Sequence, residues 1–149
     1  MTVSRLRATE LVAVAGGVLL LAGLVVPWYS TRGNGQIDGA NGTLSGWSVH
    51  PVLRWLLLAA ACAPFVLAWI VARDHELSWG RGELTAVVAV AAFGLTVYNG
   101  IIDRPGEPPG EISLKAGWFA STAGIALMFY GGAKRASESE RPRKPPGVL

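Results

Sequence analysis

The stretch VVPWYSTRGNGQIDGANGTLSGWSVHPVLRW, residues 25–55, separates the first two apolar runs of the chain. A run of branched aliphatic residues stops at Pro27, a polar stretch rich in Gly, Asn and Ser follows, and a second apolar run then begins. Trp28 and Tyr29 stand at the start of the polar stretch, and Trp47 stands near its end. Indole and phenol rings favour the headgroup level of a membrane, because one end is apolar and the other forms hydrogen bonds. The pattern predicts a loop between two helices that cross a bilayer.

Four segments of the chain contain no Asp, Glu, Lys or Arg. They cover residues 11–27, 55–72, 84–102 and 116–133. Extended slightly by their flanks, all four match the thickness of the hydrocarbon core of a bilayer. Charged residues make up only 15% of the chain and hydrophobic residues 51%, whereas a helix of a soluble protein needs a polar face. The sequence therefore predicts an all-α polytopic membrane protein, with four transmembrane helices in an up-down bundle.

The predicted boundaries follow from these segments. The spans lie at about 9–27, 51–73, 83–102 and 116–133, within a transmembrane domain of residues 1–133. The outer loops are 28–50 and 103–115, the inner loop is 74–82, and residues 134–149 form a basic, Pro-rich tail that is expected to be disordered. The first segment ends in Pro and aromatic residues without a small-residue cleavage site, so we expect it to remain as a span rather than to be removed as a signal peptide.

Small residues and one proline shape the predicted helices. Ala13 and Gly17 in the first span are four residues apart, and Ala116, Ala120 and Gly124 in the fourth span follow one another at the same spacing. In lipid, this spacing allows the backbones of neighbouring helices to pack closely. A proline in the middle of the second span, Pro64, removes one backbone hydrogen bond and predicts a bend there.

The distribution of Lys and Arg predicts the orientation. If the N-terminus is cytoplasmic, nine such residues lie inside and four lie outside, which favours both termini in the cytoplasm of a multi-pass plasma-membrane protein. The inner residues are Arg5, Arg7, Arg73, Arg81, Lys134, Arg135, Arg141, Arg143 and Lys144, and the outer residues are Arg32, Arg54, Arg104 and Lys115. Five of the nine inner residues lie after residue 133, so the bias rests on the tail.

The sequence contains no recognisable catalytic, cofactor-binding or metal-binding motif. His50 and His75 fall on opposite sides of the membrane in the predicted topology, so they cannot share a metal ion. Cys62 is the only cysteine and cannot form an internal disulfide. The positive residues lie at the ends of the spans and in the tail rather than in one stripe, which argues against nucleic-acid binding. We therefore expect a protein that is not an enzyme and that needs no cofactor.

Polar side chains inside the predicted spans are few. No ionisable residue lies near a predicted midplane, where such a group would point to transport or proton transfer. The candidates for intramembrane polar contacts are Thr96, Asn99, Ser121 and Thr122. Thr96 and Asn99 are three residues apart and share a helix face, whereas the adjacent Ser121 and Thr122 diverge.

Four residues are candidates for an outer recognition surface or interface: Trp28, Trp47, Arg54 and Trp118. Trp28 and Trp118 lie at the ends of predicted spans, where an indole anchors a helix at the headgroup level. Arg54 is one turn into the second span and can extend its guanidinium outward. Trp47 lies within the loop, so it either folds back onto the bundle and pins the loop or contacts a ligand.

The motifs VVPWYS (25–30), LSGWSV (44–49) and AGWFASTAGIALMFYGG (116–132) resemble a family of small four-span integral membrane proteins of high-GC Gram-positive (actinobacterial) bacteria. The resemblance covers most of the membrane part and implies a polar outer loop that closes on a Ser-Gly-Trp element. Members of this family often have an acidic residue early in the second span, whereas this chain has His50 and Arg54 in that region. The resemblance implies no known reaction.

Two functions are compatible with these features. The first is a non-enzymatic structural or accessory subunit of the cell envelope, which acts through helix packing and its outer Gly/Trp loop. Its partners would be membrane lipid and either another membrane protein or further copies of the same chain. The alternative is a small oligomeric transporter or lipid-binding protein, with its path lined by the polar groups of the third and fourth spans.

Overall fold

The computed structural model describes residues 6–73, 80 and 82–139. Four long helices contain most of these residues. In chain order, the helices and strands are α1 (Ala8–Val25), β1 (Pro27–Thr31), β2 (Thr43–Ser45), α2 (Gly46–Val49), α3 (Leu53–Ala72), α4 (Glu83–Val97), β3 (Ile112–Leu114) and α5 (Ala116–Ser139). A π-helical turn, Tyr98–Ile102, extends α4, and a 3-10 turn, Pro109–Glu111, precedes β3.

Three of the helices are long and apolar enough to cross a membrane. They are Ala8–Val25, Leu53–Ala72 and Glu83–Ile102, with mean hydropathies of 2.1, 2.3 and 1.8. These helices confirm the coarser part of the sequence prediction, a largely helical chain compatible with a membrane. Large apolar side chains such as Leu56, Val66, Val90 and Phe93 are exposed on α3 and α4, which suits contact with lipid tails. The fourth long helix, α5, has 24 residues and is not among the three, because Gly, Ser, Thr, Trp and Tyr dilute its aliphatic residues.

The helix boundaries differ from the predicted ones at several ends. α1 ends at Val25 rather than at residue 27, and α3 begins at Leu53 rather than at residue 51. α5 continues to Ser139, so the first six residues of the predicted disordered tail are helical instead. The rest of that tail, residues 140–149, and most of the predicted inner loop, residues 74–79 and 81, lie outside the described residues.

The all-α prediction is wrong for the segments between the helices. Three short strands form an antiparallel sheet in the order β2-β1-β3, so the predicted outer loops 28–50 and 103–115 contain regular structure. In the central strand, Tyr29 pairs with Leu44 of β2 and with Leu114 of β3. Strands of three to five residues leave only a weak alternation in the sequence, and the partners of β1 are far away along the chain. Sequence periodicity therefore could not identify them.

The sheet shows how two helices run relative to each other. β1 follows directly after α1, and β3 lies directly before α5. Their pairing brings the end of α1 next to the start of α5, and the Lys115 backbone N–H donates a hydrogen bond to the Trp28 carbonyl at 2.7 Å. α1 and α5 therefore pack antiparallel. Both α3 and α4 then pack beside this pair, with α3 against α1 and α4 against α5.

The contact between α1 and α5 is made by small residues that repeat every seven positions. The repeat consists of Thr9, Gly16 and Gly23 on α1 and of Gly117, Gly124 and Gly131 on α5. Seven residues span close to two helical turns, so this spacing keeps one stripe of each helix against the other along its whole length. A Cβ atom added to Gly16 would lie 2.5 Å from the Gly124 carbonyl oxygen, which means that the two backbones touch.

The packing face therefore differs from the one predicted from four-residue spacing. Ala116 is exposed, and of the predicted set in α5 only Gly124 is buried in the contact with α1. Ala13 faces Gly131 of α5, whereas Gly17 faces α3, where a Cβ atom would lie 2.7 Å from the Ala61 carbonyl oxygen. α1 therefore has small residues on two faces, and only the tertiary packing determines which residue contacts which neighbouring helix.

Gly124→Ala is expected to destabilise the protein by about 1–3 kcal/mol, because its Cβ atom would lie 2.5 Å from the Leu20 backbone nitrogen and force the helices apart. Thermal unfolding in detergent measures the change. Gly94→Ala is the matched control, since Gly94 is exposed in α4 with open space around it and the change should be neutral or stabilising by up to about 1 kcal/mol. Equal unfolding temperatures for the two variants would contradict the backbone contact.

Candidate binding site at the sheet end of the helices

Three aromatic rings form a buried cluster between the sheet and the helices. Trp28 and Tyr29 are fully buried, and His50 is 8% exposed. Each ring packs edge-to-face on the other two, with centroids 5.7–6.2 Å apart. Trp28 and Tyr29 are neighbours in β1, and neighbouring side chains of a strand normally point to opposite faces. A bulge between Pro27 and Tyr29 interrupts the pairing with β2 at this point, which accommodates two adjacent buried rings.

Local sequence holds His50 in the cluster. Ser45 is the N-cap of the short helix α2, and its hydroxyl accepts a hydrogen bond from the Ser48 backbone N–H at 3.2 Å. His50 follows α2 with an extended backbone, as expected for a residue before proline, here Pro51. Gly46 makes room for an indole, because a Cβ atom there would lie 2.5 Å from the Trp28 ring. Trp28 in turn donates a hydrogen bond from Nε1 to the Gly23 carbonyl at 2.9 Å, which ties the sheet to α1.

The Tyr29 hydroxyl connects His50 to the end of α4. It lies 2.8 Å from His50 Nε2 and donates a hydrogen bond to the Asn99 backbone carbonyl at 3.1 Å. A phenol has one proton, so both contacts are hydrogen bonds at once only when Tyr29 donates to the Asn99 carbonyl and the imidazole donates from Nε2 to the Tyr29 oxygen. His50 is then the neutral tautomer that carries its proton on Nε2 and keeps a lone pair on Nδ1.

Burial controls the protonation of both rings. It lowers the pKa of His50, an effect that the nearby Asp38 carboxylate partly offsets. Burial likewise raises the pKa of Tyr29 far above its ordinary value, and the Arg104 guanidinium partly offsets this change. Both groups are therefore neutral at neutral pH. The arrangement positions a hydrogen-bond acceptor and does not activate a nucleophile.

His50 and Asn99 line an open crevice between the start of α3 and the end of α4. We call it the His50 crevice; its volume is about 320 Å³. The rest of its wall is apolar and includes Leu53, Leu56 and Leu95. The sequence segment HPVLRW did not by itself indicate this crevice. The second polar residue of the crevice, Asn99, comes from a helix almost fifty residues further along the chain.

The remaining predicted recognition residues lie together on the outer surface of α2 and α3. Trp47 is partly buried and packs edge-to-face on Trp55, with ring centroids 5.3 Å apart. The Arg54 guanidinium lies 5.4 Å from the Trp47 ring centroid and 5.5 Å from that of Trp55, and it donates a hydrogen bond to the Trp47 carbonyl. Trp47 thus packs on α3 while Trp55 stays 55% exposed. We call these three residues the Trp47 patch.

Trp28 and Trp118 do not belong to this surface, and the prediction that they form part of a recognition face is wrong. Trp28 is fully buried in the aromatic cluster, and Trp118 is 7% exposed. Trp118 donates a hydrogen bond from Nε1 to the Thr96 carbonyl at 3.1 Å, and its indole fills the space left by Gly100 in the π-helical turn. An indole whose N–H finds a buried carbonyl is better placed inside the fold than at the headgroup level.

The four predicted intramembrane polar residues do not converge on one path. Thr96 and Ser121 are fully buried, and neither hydroxyl has a hydrogen-bond partner within the described residues. Thr122 donates to the Trp118 carbonyl of its own helix at 2.9 Å, and Asn99 donates from Nδ2 to the Leu95 carbonyl at the same distance. Thr96 and Asn99 share a face as expected, but only Asn99 reaches the His50 crevice.

Sequence reasoning also missed a charged pair at the opposite end of the helices. Glu10 of α1 and Arg135 of α5 form an ion pair at 3.2 Å, and their side chains are only 12% and 11% exposed. Both residues lie outside the uncharged segments, so they seemed to belong to the polar flanks. The antiparallel packing of α1 and α5 brings them together, next to a cavity of about 20 Å³.

Comparison with known proteins finds no matching family model, no matching curated protein and no matching solved structure. The resemblance inferred from the three motifs therefore stays a prediction. In the part of the chain that the structure describes, no group of three or more His, Cys, Asp or Glu side chains could hold a metal ion.

The protein is expected to lose stability as the pH falls below about 6.5, the ordinary pKa of histidine. The lowered pKa of His50 means that the unfolded chain binds a proton at a higher pH than the folded chain, so the free energy of unfolding decreases on acidification. Thermal unfolding between pH 5 and 8 measures the effect. His50→Gln should remove the slope, and His75→Gln, at the other histidine of the chain, should keep it; identical slopes in both variants would refute the assignment.

Proposed function

We propose that the protein is a four-span membrane protein with both termini in the cytoplasm and that it acts as a non-enzymatic structural or accessory subunit of the cell envelope. The observation that supports the proposal is a structured cap at one end of the helices. A three-stranded sheet and a buried aromatic cluster join both long connections to helices whose backbones touch. Such a cap presents a fixed surface to a partner.

The arrangement of the chain supports four crossings. The pairing of β1 with β3 brings both long connections to one end of the helices, so the chain between them crosses an even number of times. The uncharged part of α5, residues 116–133, corresponds to about 27 Å of helix, close to the thickness of a bilayer core. Its low hydropathy is the consequence of its packing, because the face toward α1 carries Gly where a lipid-facing helix would carry Leu or Val.

The tight packing favours a scaffold over a transport path through a single copy. The cavity lined by α1, α3, α4 and α5 near Glu10 has a volume of about 20 Å³, which is room for one water molecule. Above it, Gly16 and Gly17 bring α1 against the backbones of α5 and α3. A solute could pass between these helices only if backbone contacts opened.

The Trp47 patch is the proposed partner-binding face. Trp and Arg are the residue types that dominate the binding energy of interfaces, and here they lie side by side on the cap. The guanidinium is ordered by the two indoles and by the Trp47 carbonyl, so little conformational entropy is lost when a partner covers it. The partner would be another membrane protein or a second copy of the chain.

Cysteine labelling tests the proposed topology. In a Cys62→Ser background, an impermeant thiol reagent should label Asn41→Cys and Gly110→Cys in intact cells, because both positions are exposed in the long connections. Ser137→Cys, at an exposed position near the end of α5, should react only after permeabilisation. Labelling of Asn41→Cys without Gly110→Cys would overturn the even number of crossings, and labelling of Ser137→Cys alone would overturn the orientation.

Affinity purification from detergent-solubilised membranes tests the accessory role. Wild-type protein should recover a stoichiometric partner or a differently tagged second copy, and Trp47→Ala should reduce that recovery at least about tenfold. Trp69→Ala is the matched control, since Trp69 is 50% exposed and its ring lies 4.5 Å from the Arg73 guanidinium at the far end of α3. Recovery of nothing by the wild-type protein, or equal losses in both variants, would refute the proposal.

A further inference from the structure

The His50 crevice offers two hydrogen-bond acceptors that no described residue uses. Nδ1 of the neutral His50 is one, because Nε2 carries the proton that is shared with Tyr29. The side-chain oxygen of Asn99 is the other, because Nδ2 of the same amide donates to the Leu95 carbonyl and thereby fixes its orientation. Neither atom has a partner within residues 6–73, 80 and 82–139. His50 as a residue is more than nine-tenths buried and lines the crevice.

With the helices in a bilayer, the crevice would lie near the membrane surface. Pro51 and Val52 stand at the start of α3 and Asn99 in the turn that ends α4, directly below the sheet. Two exposed aromatic residues lie near this end of α3 and α4, Trp55 at 55% and Tyr98 at 50% exposure. Aromatic side chains at the ends of membrane helices mark the headgroup region of a bilayer. Below this level, the crevice wall continues as aliphatic side chains of α3 and α4.

From these observations, we propose that the His50 crevice binds a membrane lipid whose headgroup carries an N–H or O–H donor. The donor would bond to His50 Nδ1 and to the Asn99 side-chain oxygen, while an acyl chain would lie along the leucines of α3 and α4. The volume of about 320 Å³ suits a headgroup with the beginning of a chain rather than a whole lipid. The inference does not depend on the accessory role, since it requires only that the helices lie in a bilayer.

The chemistry of the site selects between lipid classes. The crevice wall has no positive side chain when His50 is neutral, so it holds a donor rather than a phosphate group. Phosphatidylethanolamine has an ammonium donor, and phosphatidylglycerol has two hydroxyl donors. Phosphatidylcholine has neither, because its nitrogen carries three methyl groups. A headgroup donor at a site with two unused acceptors gains about 0.5–1.5 kcal/mol for each hydrogen bond.

Lipid retention in nanodiscs tests the proposal. The full-length protein is reconstituted in equal parts of phosphatidylethanolamine, phosphatidylglycerol and phosphatidylcholine, extracted gently, and its bound lipids are counted by mass spectrometry. Wild-type protein should retain one of the two donor lipids about fivefold over phosphatidylcholine, which corresponds to one or two hydrogen bonds. Retention of phosphatidylethanolamine would identify an ammonium ligand, and retention of phosphatidylglycerol a hydroxyl ligand.

Two variants test the two proposed acceptors, and a third variant serves as the control. Asn99→Leu removes one acceptor but leaves the backbone carbonyl that binds Tyr29, and it should reduce the preference at least twofold without a change in unfolding temperature. His50→Phe should abolish the preference. Thr122→Val removes a hydroxyl that bonds within its own helix and should leave the preference unchanged. Equal retention of all three lipids by the wild-type protein, or an undiminished preference in Asn99→Leu and His50→Phe, would overturn the proposal.

Discussion

The backbone contact between α1 and α5 is the constraint on which the rest of the structure depends. Glycines seven residues apart bring the two main chains into contact at several points, with only small groups such as Ser121 Oγ and Ala13 Cβ between them. In a bilayer, the hydrophobic effect does not drive helices together, and close van der Waals packing of this kind takes its place. The contact is also reflected in the composition of α5. This helix carries Gly, Ser and Trp at buried positions and is the least apolar of the long helices, and it packs against both α1 and α4.

The sheet is the second element that follows from this pair. Because α1 and α5 are antiparallel and adjacent, the residues that follow one and precede the other come within hydrogen-bonding distance and pair as β1 and β3. β2 then extends the sheet and brings α2 and His50 against Trp28 and Tyr29. The connections between the helices thereby form a structured cap. Two surfaces result, the Trp47 patch on the outside of the cap and the His50 crevice beneath it.

The candidate site shows why sequence patterns identified some residues and missed others. Trp47 and Arg54 were selected because a tryptophan in a loop and an arginine in an apolar helix are unusual in themselves, and they do lie together. The positions of Trp28 and Trp118 at the ends of predicted spans indicated anchors at the headgroup level, yet each indole N–H binds a buried carbonyl. His50 gave no signal, since its importance comes from Tyr29 and Asn99, which are 21 and 49 residues away along the chain. Glu10 and Arg135 were missed for the same reason.

The sequence by itself determined the positions of the four long helices and most of their length, and it made three of them apolar enough to cross a membrane. Uncharged apolar runs of 17–19 residues are a local property, and the cost of placing a charge or an unpaired peptide group in hydrocarbon makes that property decisive. Only the tertiary structure decided which glycine meets which backbone, which aromatic rings are buried and where the strands pair. Those outcomes depend on contacts between residues that are distant in the chain, and a small residue or an indole is compatible with several neighbours until the helices have packed.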